Sequence, residues 1–259
     1  MRRTQRSRSG AADFQRLFGS MELLYAVAGA VLCATLGTPI VWPVLTGAEQ
    51  VTPEPDLTLF VCQDALTNSV LMAALPVLAA LPFGAAAFDD LHSRYIRSAL
   101  PRTDRQTYTA SKLLVTAVSG ALVAALGAVG TIVIIALAFP SAESPEPDPA
   151  QMPSAVLTSE VLMLCLLGAM WAVLGGALAL LMDSRVMTFA GPFLVYYLLV
   201  ILVSRYLPQL TLLDPGTWIS TGQSDLAGQA TGRWWVPAEL FAVFCGTYYL
   251  AVESRTERA

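Results

Sequence analysis

Charge is scarce in this sequence, because only 13% of its 259 residues are Asp, Glu, Lys or Arg, whereas 55% are hydrophobic. Soluble domains usually carry about a quarter charged residues. The deficit extends along the whole chain, whose mean hydropathy is +0.60. This composition excludes a single large water-soluble core and indicates a protein that is solvated by lipid.

Reactive side chains are scarce as well, since His92 is the only histidine and Lys112 the only lysine. The sequence contains no HExxH, no CxxC, no Gly-x-Ser-x-Gly and no Gly-x-x-x-x-Gly-Lys-Ser/Thr phosphate loop. We therefore predict no catalytic residue, no metal site and no enzyme activity in this chain. The cysteines have no paired spacing and are predicted to be small apolar residues in helix contacts.

Long apolar runs are abundant, and a transmembrane helix needs about 20 such residues. Six stretches qualify: 21–45, 66–88, 113–139, 155–182, 187–207 and 235–252. The first is far longer than the apolar run of about 7–15 residues in a signal peptide, so we interpret it as a retained span. The sequence thus predicts an all-α integral membrane protein, one transmembrane domain over residues 1–259 with six transmembrane helices.

The arginines predict how the spans are oriented. With the N-terminus inside, thirteen basic residues fall in cytoplasmic segments and only Arg205 and Arg233 fall outside. The positive-inside rule then places both termini in the cytoplasm. The outer loops near residues 49–56 and 143–149 are acidic and proline-rich, as solvated linkers are. Abundant Ala and Arg suggest a bacterial genome, and hence the bacterial cytoplasmic (inner) membrane as the location.

Two segments outside the spans carry apolar residues of their own. In residues 13–20, Phe14, Leu17 and Phe18 recur at helical spacing, which predicts a helix lying in the inner interface; a frayed tail is the alternative. In residues 208–234, an apolar patch is followed by Asp214-Pro215-Gly216, which is turn chemistry. We predict an outer re-entrant segment there, with a flexible loop as the alternative.

The segment between the second and third spans is the most informative. Its apolar residues recur every three or four positions, which predicts a cytoplasmic helix with one apolar stripe. The stripe comprises Phe88, Leu91, Tyr95, Ile96, Ala99 and Leu100. Pro101 ends this helix, and Thr103 with Gln106 forms a capping box for the next.

The next helix is predicted to run unbroken from Asp104 to Phe139, roughly 54 Å at 1.5 Å per residue. Because the hydrocarbon layer is about 30 Å thick, this helix should project into the cytoplasm as a stalk. An ordinary basic loop held near anionic lipid is the alternative for residues 89–112. Glu160 and Glu239 lie in spans near their outer ends and are weak candidates for a substrate path; snorkelling at the interface would also explain them.

The run FDDLHSRYIRSALPRTDRQTYTASKLL, residues 88–114, resembles the segment between the second and third spans of type-2 ATP-binding-cassette (ABC) exporter permeases. In that family an acidic residue leads into a cytoplasmic coupling helix, a basic turn follows, and a Tyr and a Lys stand at the base of the third span. The corresponding positions here are Asp89 or Asp90, Arg102 to Arg105, Tyr108 and Lys112. Aspartate replaces the glutamate common in the family.

The resemblance implies a permease subunit that forms a homodimer or heterodimer in lipid and binds two copies of a cytoplasmic ABC ATPase. This chain would need no cofactor, because ATP and Mg²⁺ would be held by the ATPase, and no nucleic acid is implied. The expected substrate is amphipathic: an antimicrobial peptide, a drug or a lipid-like molecule. A non-transporting scaffold or sensor that anchors a cytoplasmic partner is the alternative. The expected ATPase-coupling residues are Asp89, Asp90, Leu91, Arg94, Tyr95, Ile96, Arg97, Arg102 and Arg105.

Overall fold

In a computed structural model of the chain, the described residues are 13–47, 57–93, 105–139, 153–207, 209, 213–219 and 230–258, and their regular structure is helical throughout. The helices are α1 (residues 13–18), α2 (Met21–Leu36), α3 (Val41–Leu45), α4 (Leu57–Thr67), α5 (Ser69–Ala80), α6 (Ala86–His92), α7 (Arg105–Ala138), α8 (Pro153–Met182), α9 (Met187–Ile201) and α10 (Ala230–Arg258). A π-helical turn, Leu202–Tyr206, extends α9, and a 3₁₀ turn covers Pro215–Thr217.

Several of these helices have the length and composition of membrane spans. Within the described residues, α7, α8, α9 with its extension and α10 each qualify alone, and α4 with α5 qualifies as one span bent by 53°. The apolar helix α2 has 16 residues, about 24 Å at 1.5 Å per residue, which is less than the roughly 30 Å of hydrocarbon. The protein is therefore an all-helical, multi-pass membrane protein with four or five candidate spans.

Helix α8 forms the centre of the bundle, where it packs against α5, α7, α9 and α10. The most apolar part of α8 is 72% buried, whereas the corresponding parts of α7, α9 and α10 are at most 33% buried. The closest crossing joins α7 and α8, because a Cβ added to Gly120 would lie 2.2 Å from the carbonyl oxygen of Gly168. Glycine at both positions lets the two backbones touch.

The bundle has two ends, which α7 connects over 34 residues, about 51 Å at 1.5 Å per residue. The Lys112 end contains α1, α6, the start of α7 and the last turns of α10, which pack in two apolar clusters. The Phe139 end contains α3, α4 and the last turn of α7, which share a separate apolar cluster. Functional chemistry can therefore be sought at each end separately.

The first two predicted spans differ from the helices observed. The predicted span 21–45 is interrupted after Gly37, because Pro39 cannot continue a helix, and resumes as α3. The predicted span 66–88 corresponds to the end of α4, all of α5 and the start of α6. Asn68 separates α4 from α5, since its extended backbone and its side chain cap the start of α5.

Other elements agree with the sequence-based predictions where they are described. The predicted unbroken helix is present as α7, which is described from Arg105 onward. Residues 13–18 are helical, and Leu17 is fully buried while Phe18 is exposed. The predicted turn is present, because the Asp214 carboxylate accepts a hydrogen bond from the Gly216 amide at 3.0 Å. All four cysteines are free and lie within helices, as predicted.

Residues 213–219 return to the bundle after α9. Trp218 and Ile219 are buried in the main apolar cluster, to which α5 and α8 also contribute. The neighbouring Leu210 and Leu212, part of the predicted apolar patch, lie outside the described residues. The described residues Trp218 and Ile219 are therefore packed onto the bundle.

Candidate functional site

Lys112 is the centre of a buried charged cluster on the first turns of α7. Its side chain is 2% exposed, and its Nζ atom lies 2.7 Å from Asp90 Oδ2 and 2.8 Å from Asp13 Oδ1. Tyr108, one helical turn before Lys112, donates a hydrogen bond of 3.0 Å to Asp90 Oδ2. We call Asp13, Asp90, Tyr108 and Lys112 the Lys112 cluster.

Aromatic rings and one arginine complete the surroundings of the lysine. The Lys112 ammonium lies 5.2 Å from the centre of the Phe83 ring and 5.7 Å from that of Tyr108, close enough for cation–π attraction. Arg16 Nη1 lies 3.8 Å from Asp90 Oδ1 and is largely exposed. Two carboxylates thus face two cations, so the formal charges of the group balance.

Local sequence places each member of the cluster. Asp13 is on α1, which is held against the bundle because Leu17 packs with Phe83 and Val115. Asp90 is on α6, whose Ala87 is buried in the cluster that also contains Tyr108. Positions four apart on α7 share one face of the helix, which brings Tyr108 and Lys112 to the same side. Three chain segments therefore meet at one ammonium group.

Burial makes this arrangement demanding. Removing a carboxylate or an ammonium from water costs several kcal/mol, which attraction offsets only when partners are close and well aligned. Lys112 meets this condition with two carboxylates at 2.7 and 2.8 Å. A shift of α6 would change the distance between the Asp90 carboxylate and the Lys112 ammonium. The cluster therefore couples the position of α6 to those of α7 and α1.

Further polar pairs at this end of the bundle involve α6, the α8–α9 turn and α10. Asp89 on α6 lies 3.4 Å from Arg185, which follows α8. His92 lies 3.7 Å from Asp183, and Arg255 on α10 lies 3.4 Å from the same carboxylate. Exposed pairs of this kind contribute about 0–1 kcal/mol each. They bring α6, the α8–α9 turn and α10 together without fixing them strongly.

Arg105 and Leu91, both predicted to contact an ATPase, make contacts within the chain. Arg105 donates to the Thr256 hydroxyl and to the carbonyl oxygen of Glu253, so it ties the start of α7 to the last turn of α10. An arginine at that position suits the negative end of a helix. Leu91 is half-buried against the apolar cluster around Tyr108 and is not a freely exposed side chain.

The remaining predicted coupling residues divide into two groups. Asp89 is half-exposed on α6, and Asp90 is buried in the Lys112 cluster. Their predicted companions on the same stripe and turn lie outside the described residues; these are Arg94, Tyr95, Ile96, Arg97 and Arg102. The resemblance did not separate Asp89 from Asp90, whereas the geometry does, because only Asp90 contacts Tyr108 and Lys112.

The two glutamates considered for a substrate path differ in exposure. Glu160 is 3% exposed on the central helix α8, whereas Glu239 is exposed on α10. No group of three or more His, Cys, Asp or Glu residues that could hold a metal ion occurs in the part of the chain that the structure describes. The Lys112 cluster is accordingly the most highly organised polar site among the described residues.

Sequence reasoning missed the role of Asp13. It placed this residue only within the predicted interfacial helix of residues 13–20, 99 positions from Lys112. A signal was present nonetheless, since Asp13 and Lys112 each adjoin an apolar stretch in which an isolated charge needs a partner.

No protein-family model, no curated protein and no solved structure matches this chain.

Proposed function

We propose that this chain is the permease subunit of an ATP-driven exporter of the type-2 ABC kind, with the Lys112 end facing the cytoplasm. The observation that carries the proposal is the convergence of Asp90, Tyr108 and Lys112. These residues underlie the resemblance in sequence, and their side chains are in direct contact. Contact among the residues that carry the resemblance is what the proposal expects.

The proposed orientation follows from charge. Basic residues are concentrated at the Lys112 end of the chain's helices, and the positive-inside rule assigns such an end to the cytoplasm. The proposal counts six spans: α2, the bent pair α4 and α5, and helices α7 to α10. Because α2 is shorter than the hydrocarbon layer is thick, α3 would cross the remaining depth, or the bilayer would thin locally.

The energy source in this proposal is a separate pair of ATPase subunits, which would hold ATP and Mg²⁺. The segment that follows α6 would rest on each ATPase, and closure of the ATPase pair would shift α6. The Lys112 cluster would then pass that shift to α7 and α1, since Asp90 shares its lysine with Asp13. Two permease subunits, identical or different, would enclose the path.

The proposed cargo is amphipathic. The helices available to line a path are rich in Ala, Gly and Leu, so apolar contact would dominate recognition. Glu160 is buried on α8, whereas Glu239 is exposed on α10 near the proposed outer half. An exposed carboxylate such as that of Glu239 would favour a cargo that also carries positive charge, such as a cationic peptide or drug.

The test is co-expression with the product of the neighbouring gene, which the proposal expects to be a phosphate-loop ATPase. We expect the two proteins to co-purify and to hydrolyse ATP in lipid nanodiscs. Arg97→Glu, in the proposed docking segment, should reduce co-purification at least about tenfold, as expected for a charge contact worth over 1.4 kcal/mol. Arg205→Glu, beyond the last residues of α9, is the matched control and should have no effect.

Three results would count against the proposal. They are the absence of an adjacent ATPase gene, co-purification that Arg97→Glu leaves unchanged, and equal losses in both charge reversals. The first two would favour the second candidate function, a membrane scaffold or sensor that anchors a cytoplasmic partner. The exposed pairs Asp89–Arg185 and Asp183–His92 favour that candidate, because they make the Lys112 end a polar surface on which a partner could dock.

A further inference from the structure

Asn68 satisfies the polar ends of three helices with one side chain. Its Oδ1 accepts a hydrogen bond of 2.8 Å from the Leu71 amide at the start of α5. Its Nδ2 donates to the carbonyl oxygens of Ala65, near the end of α4, at 2.7 Å, and of Ala34, near the end of α2, at 3.0 Å. Helix termini carry backbone groups that lack partners within the helix, so one amide serves α2, α4 and α5 together.

Two breaks in the chain coincide at this amide. Helix α2 ends at Gly37, and α4 turns into α5 at Asn68 with a bend of 53°. Gly37 leaves no room for a side chain, because an added Cβ would lie 2.3 Å from Asn68 Oδ1. Among the described residues, α3 and α4 lie beyond the two breaks and pack against the long helices of the bundle.

That packing is a small apolar seat beside the main core, which α4 enters at Leu66, two residues before Asn68. It consists of Val41 on α3, three residues of α4, and two residues at the end of α7, which are Val61, Cys62, Ala65, Ile135 and Phe139. Ile132 and Leu157 border both this seat and the main cluster. Apolar contact has little directional preference, so such a seat can separate and re-form without leaving charges unpaired.

We propose that α3 and α4 form a lid over the Phe139 end that opens about a hinge at Gly37 and Asn68. Hinges are short segments between rigid helices that absorb a change of backbone angles. At this hinge no internal helical hydrogen bond needs to break, because the amide of Asn68 already replaces the interrupted ladder. The inference concerns the Phe139 end and does not depend on the proposed function.

Cys62 offers a built-in reporter, since this free cysteine is buried in the seat of the lid. The experiment uses the full chain in lipid nanodiscs, with Cys33, Cys165 and Cys245 replaced by alanine. The rate at which a water-soluble maleimide labels Cys62 then measures how often the lid opens. Asn68→Ser keeps an oxygen that can cap α5 but cannot reach Ala34, so it loosens the hinge and spares the helix.

We expect Asn68→Ser to accelerate labelling of Cys62 by about tenfold, the effect of losing the two part-buried hydrogen bonds that Nδ2 donates to Ala34 and Ala65. Gly37→Ala, which would displace the same amide, should give a similar rise, and the double variant should exceed neither by much. Thr67→Ala is the matched control, because the Thr67 hydroxyl bonds only within its own helix, to Gln63. Its rate should equal that of the parent protein.

A second reporter separates lid opening from general loosening. In a protein that keeps only Cys33, which packs against the main cluster from α2, Asn68→Ser should leave the labelling rate unchanged. Equal acceleration at Cys33 and Cys62 would overturn the proposal, and so would an unchanged rate at Cys62 in both hinge variants. Should Asn68→Ser fail to fold, Gly37→Ala alone decides between these outcomes.

Discussion

The two ends of the bundle are held together by different interactions, buried charges at one end and apolar contacts at the other. At the Lys112 end, α1, α6 and α7 meet through one ammonium and two carboxylates at 2.7 and 2.8 Å. At the Phe139 end, α3 and α4 rest on the end of α7 through an apolar seat with an amide at its edge. Buried charges tolerate little displacement before they lose their partners, whereas apolar surfaces can slide or part at a cost that follows area.

This contrast assigns each end a different mechanical character. The Lys112 end should keep its geometry and pass on movement, since separation would leave a carboxylate buried without its cation. The Phe139 end should be the one that yields, since its seat is small and its helices are hinged. A transporter that is driven at one end and opens at the other would need one rigid end and one hinged end.

The largest expected effect comes from removing the cation of the rigid end. Lys112→Met would keep the apolar stem and leave Asp13 and Asp90 buried without their shared partner. We expect a loss of about 3–5 kcal/mol in the free energy of unfolding, the usual result of breaking a buried ion pair from one side. Titration with SDS in mixed lipid micelles, followed by tryptophan fluorescence, measures the loss.

A neutral version of the cluster provides the control for that loss. Replacing Asp13 and Asp90 by asparagine together with Lys112→Met removes every charge at once, and it should recover most of the stability. A loss below about 1 kcal/mol in Lys112→Met would contradict the burial of the cluster. No recovery in the triple variant would show that side-chain shape, and not charge, explains the loss.

The next effect tests how the two ends are connected. Gly168→Ala would place a methyl group 2.4 Å from the Gly120 carbonyl oxygen, at the crossing of α7 and α8. Forcing these backbones apart should cost about 1–3 kcal/mol. Gly246→Ala is the matched control, because nothing lies within 4 Å of its added Cβ, and alanine should stabilise α10 by up to about 1 kcal/mol.

The same micelle titration reads both glycine variants. Similar changes in the two would mean that the α7–α8 crossing is not a close contact. In addition, Gly168→Ala should accelerate labelling at Cys33 and Cys62 together, since the crossing supports both the main cluster, against which Cys33 packs, and α7, whose end carries the seat. Acceleration at Cys62 alone would contradict the idea that the crossing lies in the rigid part of the molecule.

Local rules predicted the parts of this fold that local sequence decides. The capping box and the apolar run predicted α7, which is unbroken from Arg105 to Ala138. The resemblance singled out Asp89 or Asp90, Tyr108 and Lys112, but it did not predict that three of these side chains, Asp90, Tyr108 and Lys112, meet. Turn chemistry predicted the bend at Asp214, where the side chain bonds the Gly216 amide.

Contacts between distant segments were beyond those rules. The pairing of Asp13 with Lys112 depends on how α1 docks, which hydrophobic spacing does not specify. The interruption at Asn68 was missed because its apolar neighbours fit one long span. The role of its amide depends on contacts with Ala34 and Gly37, which lie far away in the sequence. Leu91 follows the apolar stripe but faces its own bundle, since periodicity defines a face and not its partner.

The smallest expected effect lies at the exposed rim of the rigid end. Arg185 pairs with Asp89 at 3.4 Å, but the two side chains are 58% and 45% exposed, so water and salt screen the attraction. Arg185→Gln should therefore change the free energy of unfolding by at most about 0.5 kcal/mol, and 0.5 M NaCl should abolish even that difference. If this variant instead lost as much stability as Lys112→Met, the exposed rim would contribute as much to the free energy of unfolding as the buried cluster. The whole Lys112 end would then have to be treated as one coupled network.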